Sequence, residues 1–597
     1  MLRSSNSSLA VVFSRHGAAT AAGATVAVVV LWLGCYRTTT RSVLVAGLRH
    51  TLRRMRSIQK AVCTLLVLAF PVCAQHGDPP VVAPFGKKLD SLCVNDWWNR
   101  AKSPIVDVHV ARDQVVAFGI YTVHGGILKL TAQLFPLYPK ETRFVRLEFE
   151  QDGKWVEAKR QAVDDIGWAT CFRIEGWDSA VDVRYRLRHG DAASFEGLVR
   201  KDPVSDEIVV AALSCNSSRD RGMRPNFVRN LRHHNPDLLF FAGDQSYDHR
   251  QHTAAWIKFG LQFRDVFRDR PCVTIPDDHD VGHANLWGEA GAVSKLRGGA
   301  DGGYMHHPDY VRMVERAQTA HLPDPVDPIP IGQGIGVYFT ELQLGRVSFA
   351  ILEDRKWKTG PAGTIPKQGP RPDHIIHPDY DPKSIDLEGL VLLGDRQHKF
   401  LADWGKPSEG VLMRAVLSQT GFCGGAHLHG SKENRLHADL DSNGWPQSGR
   451  LEALRLIRSA GAVHIAGDQH LATLVQHGID EYRDGPWAFV VPAIVNSIYS
   501  RWWWPEGGAA GGDREASNPL PWTGDYLDGL ANKITMHAYA NPETDSNGAG
   551  YGLVKFAQGR QTVTFACWPR NADVTKPDAQ QFVGWPRTVS LQGLVVK

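Results

Sequence analysis

Cysteine is scarce in this chain, with nine in 597 residues. Six follow Ala74 (Cys93, Cys171, Cys215, Cys272, Cys423 and Cys567), too few in so long a chain to form a disulfide scaffold. At least one of them is free for another task. Residues 24–34 (ATVAVVVLWLG) are apolar but shorter than the roughly 20 residues a spanning helix needs. Acidic residues are absent from positions 1–74, which hold nine Lys or Arg. The formal charge of +4 is therefore misleading: without those nine, 58 of the 67 basic residues stand against 63 acidic ones, a net −5. A mildly acidic remainder gives no net-charge case for nucleic-acid binding. With 43% apolar and 22% charged residues the composition is globular, and the length suggests two or three domains.

The first 74 residues read as a leader. From Met55, MRSIQKAVCTLLVLAFPVCAQ has a basic start, an apolar stretch and small residues, Val72-Cys73-Ala74, before Gln75, which is the pattern of signal-peptide cleavage. This predicts export, to a periplasmic or extracellular location, with Met55 as the true start and no transmembrane domain in the mature chain. The alternative is one uncleaved N-terminal anchor.

Residues 75–103 form a lead-in segment. Over 104–202, runs of β-formers (VDVHV, QVVAFGIYTV, LKLTAQLFPLY, RFVRLEFE, ATCFRIEG, VDVRYRLRHG) are separated by turn residues and predict a small antiparallel β-sandwich. From 206 to 597 the pattern changes. EIVVAALSC, LLFFAGDQ, PCVTIPDDHD, VSFAILEDR, MRAVLSQT, AVHIAGDQH and WAFVVPAIVN are apolar runs, most ending in polar residues, and PNFVRNLRHHNPD between the first two reads as a helix. Such βα units build sheets whose strand ends face one ligand crevice. Segments 282–335 and 355–385 read as long loops lining a site, HPDY at 307–310 and 377–380 as Pro-Asp turns, and GYGLVKFAQGRQTVTFACW as a hairpin on the sheet edge.

Chemistry concentrates at the strand ends. Asp277, Asp278, His279 and Asp280 follow one strand directly, and clustered carboxylates repel unless a cation neutralises them. The word AGDQ ends two strands, giving Asp244 (with Tyr247 three residues on) and Asp468 (with His470 two residues on). A thiolate at Cys215, a phenolate at Tyr247 and a carboxylate suit trivalent iron, whereas all-carboxylate positions suit Ca²⁺, Mg²⁺ or Mn²⁺. RWWWPEGG (501–508) reads equally as an aromatic lid or as packing, His427 and His429 have ligand-like spacing but read as loop histidines, and Arg219 and Arg221 would hold a phosphate or form a solvated face, with the solvated face preferred.

The succession SCN (214–216), GDQSYD (243–248), DDHD (277–280), DSNGWPQSGR (441–450) and AGDQH (466–470) resembles the PhoD-like alkaline phosphatases, a branch of the calcineurin-like metallophosphoesterases. The resemblance covers roughly 100–597. It implies an α/β fold with a four-layered core, two β-sheets flanked by helices, preceded by the small sandwich. It also implies an iron and calcium centre, with Mn²⁺ or Mg²⁺ as substitutes, and hydrolysis of phosphate mono- or diesters. Carried over residue by residue, Cys215 and Tyr247 match iron ligands and Asp244 the bridging carboxylate. Asp278, Asp468 and His470 complete the metal set, and His279 stands beside the metals to assist the leaving group. Asp278, His279 and His470 are thus the catalytic candidates. The superfamily's middle histidine ligand has no counterpart in AVLSQTGF (415–422), and the family's Gly-Tyr-Pro is here Gly444-Trp445-Pro446.

The expected substrate is a phosphoester, small molecule or polymer, cleaved by a metal-activated water. No seryl nucleophile motif stands out. The competing readings are a lipid- or cell-wall-polymer phosphodiesterase on the same site, and a non-catalytic, metal-containing polymer-binding surface protein.

Overall fold

The computed structural model describes residues 89–591 apart from 100–101, 378, 430–435, 497, 504–509 and 543–547. The leader and its Met55 start lie outside the described residues. Among those described, no helix is long and apolar enough to cross a membrane, and none of the six cysteines is paired.

Seven antiparallel strands make up the sandwich. Val116–His124, Ile127–Leu134 and Ala169–Glu175 form one sheet, and Lys154–Ala162, Phe144–Gln151, Val183–His189 and Ala193–Val199 form the other, in those orders. Two expectations change here. VDVHV is not a strand: 106–110 runs without a ladder partner and buries Val108. Conversely, Lys154–Ala162 (KWVEAKRQA) is a strand that its composition hides, because it is an edge strand with almost every side chain facing water. The sandwich packs on the helix His252–Phe267. Phe118 meets Trp256 and Phe267 at ring separations of 5.5 and 6.0 Å. Gly260 makes room for it, since a Cβ there would lie 1.9 Å from the Phe118 ring.

Two larger sheets follow. The first runs Cys272–Thr274, Leu238–Phe241, Glu207–Asn216, Gly550–Ala557, Thr562–Pro569, Arg587–Ser590; its first three strands are parallel. The expected hairpin, Gly550–Ala557 with Thr562–Pro569, extends the parallel strands from the side of Glu207–Asn216. In the second, Val347–Ile351, Met413–Thr420, Ala462–Gly467 and Trp487–Val490 form a parallel centre.

Period-two alternation sorts the side chains into layers. Ile208, Val210 and Ala212 join Phe349, Leu417 and Ile465 in a core between the sheets. Ala211 and Leu213 face Phe227, Leu231 and Phe263 on the helices Pro225–His234 and His252–Phe267. On the far side Ala350 and Val416 meet Phe400, Leu401 and Leu454 from Asp395–Trp404 and Gln447–Ser459. Helix, sheet, sheet, helix is the four-layered α/β arrangement that the family resemblance implies.

One loop expectation fails. Segment 282–335 contains the helix Pro308–Thr319, and the first HPDY is its start rather than a turn. Pro308 occupies the first helical turn, where a missing N–H costs nothing, and His307 Nδ1 accepts from the Asp309 N–H at 3.2 Å.

Candidate metal centre

The strands Glu207–Asn216, Leu238–Phe241, Cys272–Thr274 and Ala462–Gly467 end beside one another, and the chain turns sharply as it leaves three of them. Cys215, Asp244, Asp468 and His470 all have left-handed backbones, with φ of 59°, 58°, 67° and 54°. Four non-glycine residues so placed are costly, and such strain collects where a site dictates the geometry. The glycine of each AGDQ permits the close approach. A Cβ on Gly243 would lie 2.4 Å from Asp277 Cβ, and one on Gly467 would lie 2.2 Å from Ser214 Oγ. Backbone bonds tie the ends together: Asn216 N–H to Asp244 O at 2.8 Å, and Asp468 N–H to Ser214 Oγ at 3.2 Å.

The result is a shared cluster. Cys215, Asp244 and His470 offer ligand atoms all within 4.8 Å of one another, as do Asp244, Asp278 and His279, and also Asp244, Asp277, Asp278 and Asp468. Asp244 is common to all three. Tyr247 joins through its Oη, 2.9 Å from His470 Nε2, and Asn496 Nδ2 lies within 3.0 Å of both. His470 Nδ1 is 2.7 Å from the Ile498 carbonyl oxygen. The Tyr247 ring lies over His279 at 4.0 Å, and His279 Nδ1 is 2.6 Å from His249 Nε2. All the residues picked from sequence therefore meet in one place.

Charge here is heavily one-sided. Burial, reinforced by the neighbouring carboxylates, drives Asp244 and Asp278 well above the usual carboxylate range. Burial and the Asp244 and Asp468 charges likewise push the Cys215 thiol up. A thiolate at this spot needs a cation beside it. Burial, with the nearby His249 and His470, holds His279 well below its ordinary value.

The donor set passes a direct test of fit for metals. Asp244 is almost wholly buried, and its Oδ1 has no hydrogen-bond partner, a state that proteins rarely tolerate without an ion or ligand. The Cys215, Asp244 and His470 group mixes S, O and N donors, whereas the four-carboxylate group is all oxygen, so the two groups differ in hardness.

Sequence reasoning missed the counter-cation. Arg355 follows the strand Val347–Ile351 and is buried beneath the carboxylates. Its Nε donates to Asp277 Oδ1 at 2.6 Å, its Nη2 pairs with Asp468 Oδ1 at 3.0 Å, and its Nη1 pairs with Asp441. Burial alone would lower its pKa, but these acids outweigh burial and keep it charged. The signal was the charged triplet Glu353-Asp354-Arg355 closing a buried strand. Asp441, inside the DSNGWPQSGR word, was also given no role. Asp280 was seen only as part of DDHD; its Oδ2 accepts from the N–H groups of Asp244 and Asp277 at 2.8 and 3.0 Å, fixing both backbones.

The cluster floors a cavity of about 580 Å³. Trp287, Arg297, Arg371 and Asp373 line its other walls, and Arg219, for which the sequence offers a phosphate contact or a solvated face, lines it too while remaining exposed. Arg221 pairs instead with Asp248. Asp373, His374 and Asp439 form one more potential ligand group on this wall. Within AVLSQTGF (415–422), Gln419 Nε2 donates to Pro276 O at 3.0 Å and to Tyr338 Oη at 2.7 Å. The aromatic stretch at 501–508 is packing as far as it is described: Trp502 is fully buried, and Trp503 stacks on His427 at 4.4 Å.

No protein-family model matches the sequence, and no curated protein sequence matches it. Among solved structures, that of PhoD aligns over 81% of this chain and 94% of its own, with a TM-score of 0.55 and 16% identity. A purple acid phosphatase, PPD1, from yellow lupin (Lupinus luteus) seeds aligns over 80% of this chain and 74% of its own, with a TM-score of 0.48 and 10% identity. The PhoD alignment bears out the PhoD-like fold that the resemblance implies.

Proposed function

We propose that the chain is an exported, metal-dependent phosphoesterase that hydrolyses phosphate mono- or diesters by way of a metal-activated water. The observation that carries this reading is Asp244 Oδ1, buried and unbonded where three ligand clusters intersect. Cys215, Asp244, Tyr247 and His470 would hold iron, and Asp244, Asp278 and Asp468 a harder cation such as calcium, with Mn²⁺ or Mg²⁺ as substitutes. When bound, such ions acidify a water and neutralise charge on the phosphoryl oxygens. The leader pattern supports export.

The chain's own side chains define the remaining roles. Asn496 and the Ile498 carbonyl fix the ring of His470. His249 engages His279 Nδ1 and Tyr247 covers its face, which leaves Nε2 to serve the leaving oxygen. Arg355 holds Asp468 in place from below. A panel of chromogenic phosphate mono- and diesters, with and without a chelator, tests the proposal. Hydrolysis that chelation abolishes is expected; hydrolysis that survives complete metal removal, or none of any ester, would refute it.

A further inference from the structure

Arg371 and Arg355 are both arginines beside buried aspartates of the same cavity, yet they are built differently. Arg355 spends its whole guanidinium on three carboxylates and is 3% exposed. Arg371 is 47% exposed. Its Nε and Nη2 donate to Asp373 Oδ1 and Oδ2 at 3.2 and 2.9 Å, and Nη2 also reaches Asn285 Oδ1 at 3.4 Å. Asn285 Nδ2 in turn donates to Asp373 Oδ2 at 2.8 Å. Asp373 is almost fully buried, so the guanidinium is mounted on a rigid base with Nη1 unspent among the described residues. A cation at the Asp373, His374 and Asp439 group would compete with this mount, because both Asp373 oxygens are already taken.

Two more arginines line the same cavity from separate loops. Arg219 follows the Cys215 strand and Arg297 precedes the Gly298-Gly299 turn. Neither guanidinium makes an ion pair or hydrogen bond among the described residues, and both are exposed. Asp244, Asp278 and Asp468 line the metal-cluster floor, and Arg219, Arg297 and Arg371 bring three guanidinium groups to the same cavity. A scissile phosphate belongs on the floor with the metals, and a second anion there would be repelled by the aspartates. A planar guanidinium with free donors is suited to a carboxylate or phosphate.

Resting on the phosphoesterase reading above, we infer that Arg371, with Arg297 and Arg219, forms a subsite for a second anionic group, carboxylate or phosphate, that the substrate carries away from its scissile phosphate. Asp373 and Asn285 are its positioning residues. The preferred substrates are then phosphodiesters bearing a remote negative charge.

The test uses two p-nitrophenyl phosphodiesters, one with a propyl arm and one with a carboxylate at the end of that arm. The full chain prefers the carboxylate ester by about tenfold in kcat/KM, mainly through KM, which is the scale of one charge-assisted hydrogen bond. The preference shrinks with added salt. It falls to near unity in Arg371→Ala, falls partway in Asp373→Asn, and partly survives in Arg371→Lys. Arg297→Ala, on another loop, reduces it independently. Equal use of the two esters by the wild-type chain, or a preference unchanged in Arg371→Ala and Arg297→Ala, overturns the subsite. Cleavage of phosphate monoesters but of neither diester also overturns the subsite as stated, whereas failure on every mono- and diester refutes the phosphoesterase reading on which it rests.

Discussion

The two AGDQ strand ends share a spelling and a backbone but differ in what surrounds them. Both place a left-handed aspartate after a glycine whose missing side chain lets another strand come close. The first, Asp244, has an oxygen with no hydrogen-bond partner. The second, Asp468, is paired with Arg355 and accepts from Gln469 Nε2 at 2.7 Å. Identical local chemistry thus serves two purposes. One carboxylate keeps an oxygen open to a cation or ligand, and the other is held by the protein itself. Two residues upstream of each AGDQ the strands diverge again: Phe240 occupies the first, and the buried His464 occupies the second, 2.7 Å from Ser418 Oγ.

The largest effect expected on this contrast is on activity. Asp244→Ala lowers phosphoester kcat by about a thousandfold or more, because it removes the group common to the three clusters at the strand ends. Asp468→Ala, whose neighbours keep Arg355, lowers it less; steady-state kinetics on both variants measures the gap. Next comes Arg355→Ala. Leaving Asp277, Asp441 and Asp468 buried without their cation costs about 3 kcal/mol in urea unfolding of the metal-free protein. Asp244→Ala in the same assay relieves repulsion and costs none.

The two glycines rank third. Gly243→Ala and Gly467→Ala each force a Cβ into a wall, at a cost of about 2 kcal/mol. Gly243 has φ of 110° and is penalised for its backbone as well, so its loss of denaturation midpoint is the greater. A last effect, spread over several pH units, separates the two strands by pH. Burial pushes His464 down to about 3. The unfolded chain binds a proton as pH falls below the ordinary histidine value of about 6.5, while the folded strand refuses it until about 3. Stability is therefore lost on acidification across that window, and His464→Gln makes the slope shallower by about 1 kcal/mol per pH unit. Phe240→Leu, in the first strand, leaves the slope unchanged.

Much of this was legible in the sequence because it depends on local pattern. Apolar runs ending in Cys, Asp or His gave the strand ends, and the glycines beside Asp244 and Asp468 marked tight turns. Period-two stretches gave most of the sandwich. What was not legible depended on long-range neutralisation or on exposure. Nothing near Arg355 in the chain shows that Asp277, Asp441 and Asp468 will surround it, since its partners lie 78, 86 and 113 positions away. KWVEAKRQA could not announce itself by burial, because its position at a sheet edge removes the apolar face that alternation would reveal. The helix at Pro308–Thr319 was lost among glycines and histidines, although Pro at its first turn was a usable signal.

The central claim is that Asp244 and Asp468 close one metal pocket, with Asp244 as the shared ligand. Elemental analysis of the purified chain against Asp244→Ala tests it most directly. The account predicts iron together with a second cation in the wild-type chain and loss of both in the variant. Wild-type protein with no metal above background, or a variant that keeps its full complement, would contradict it.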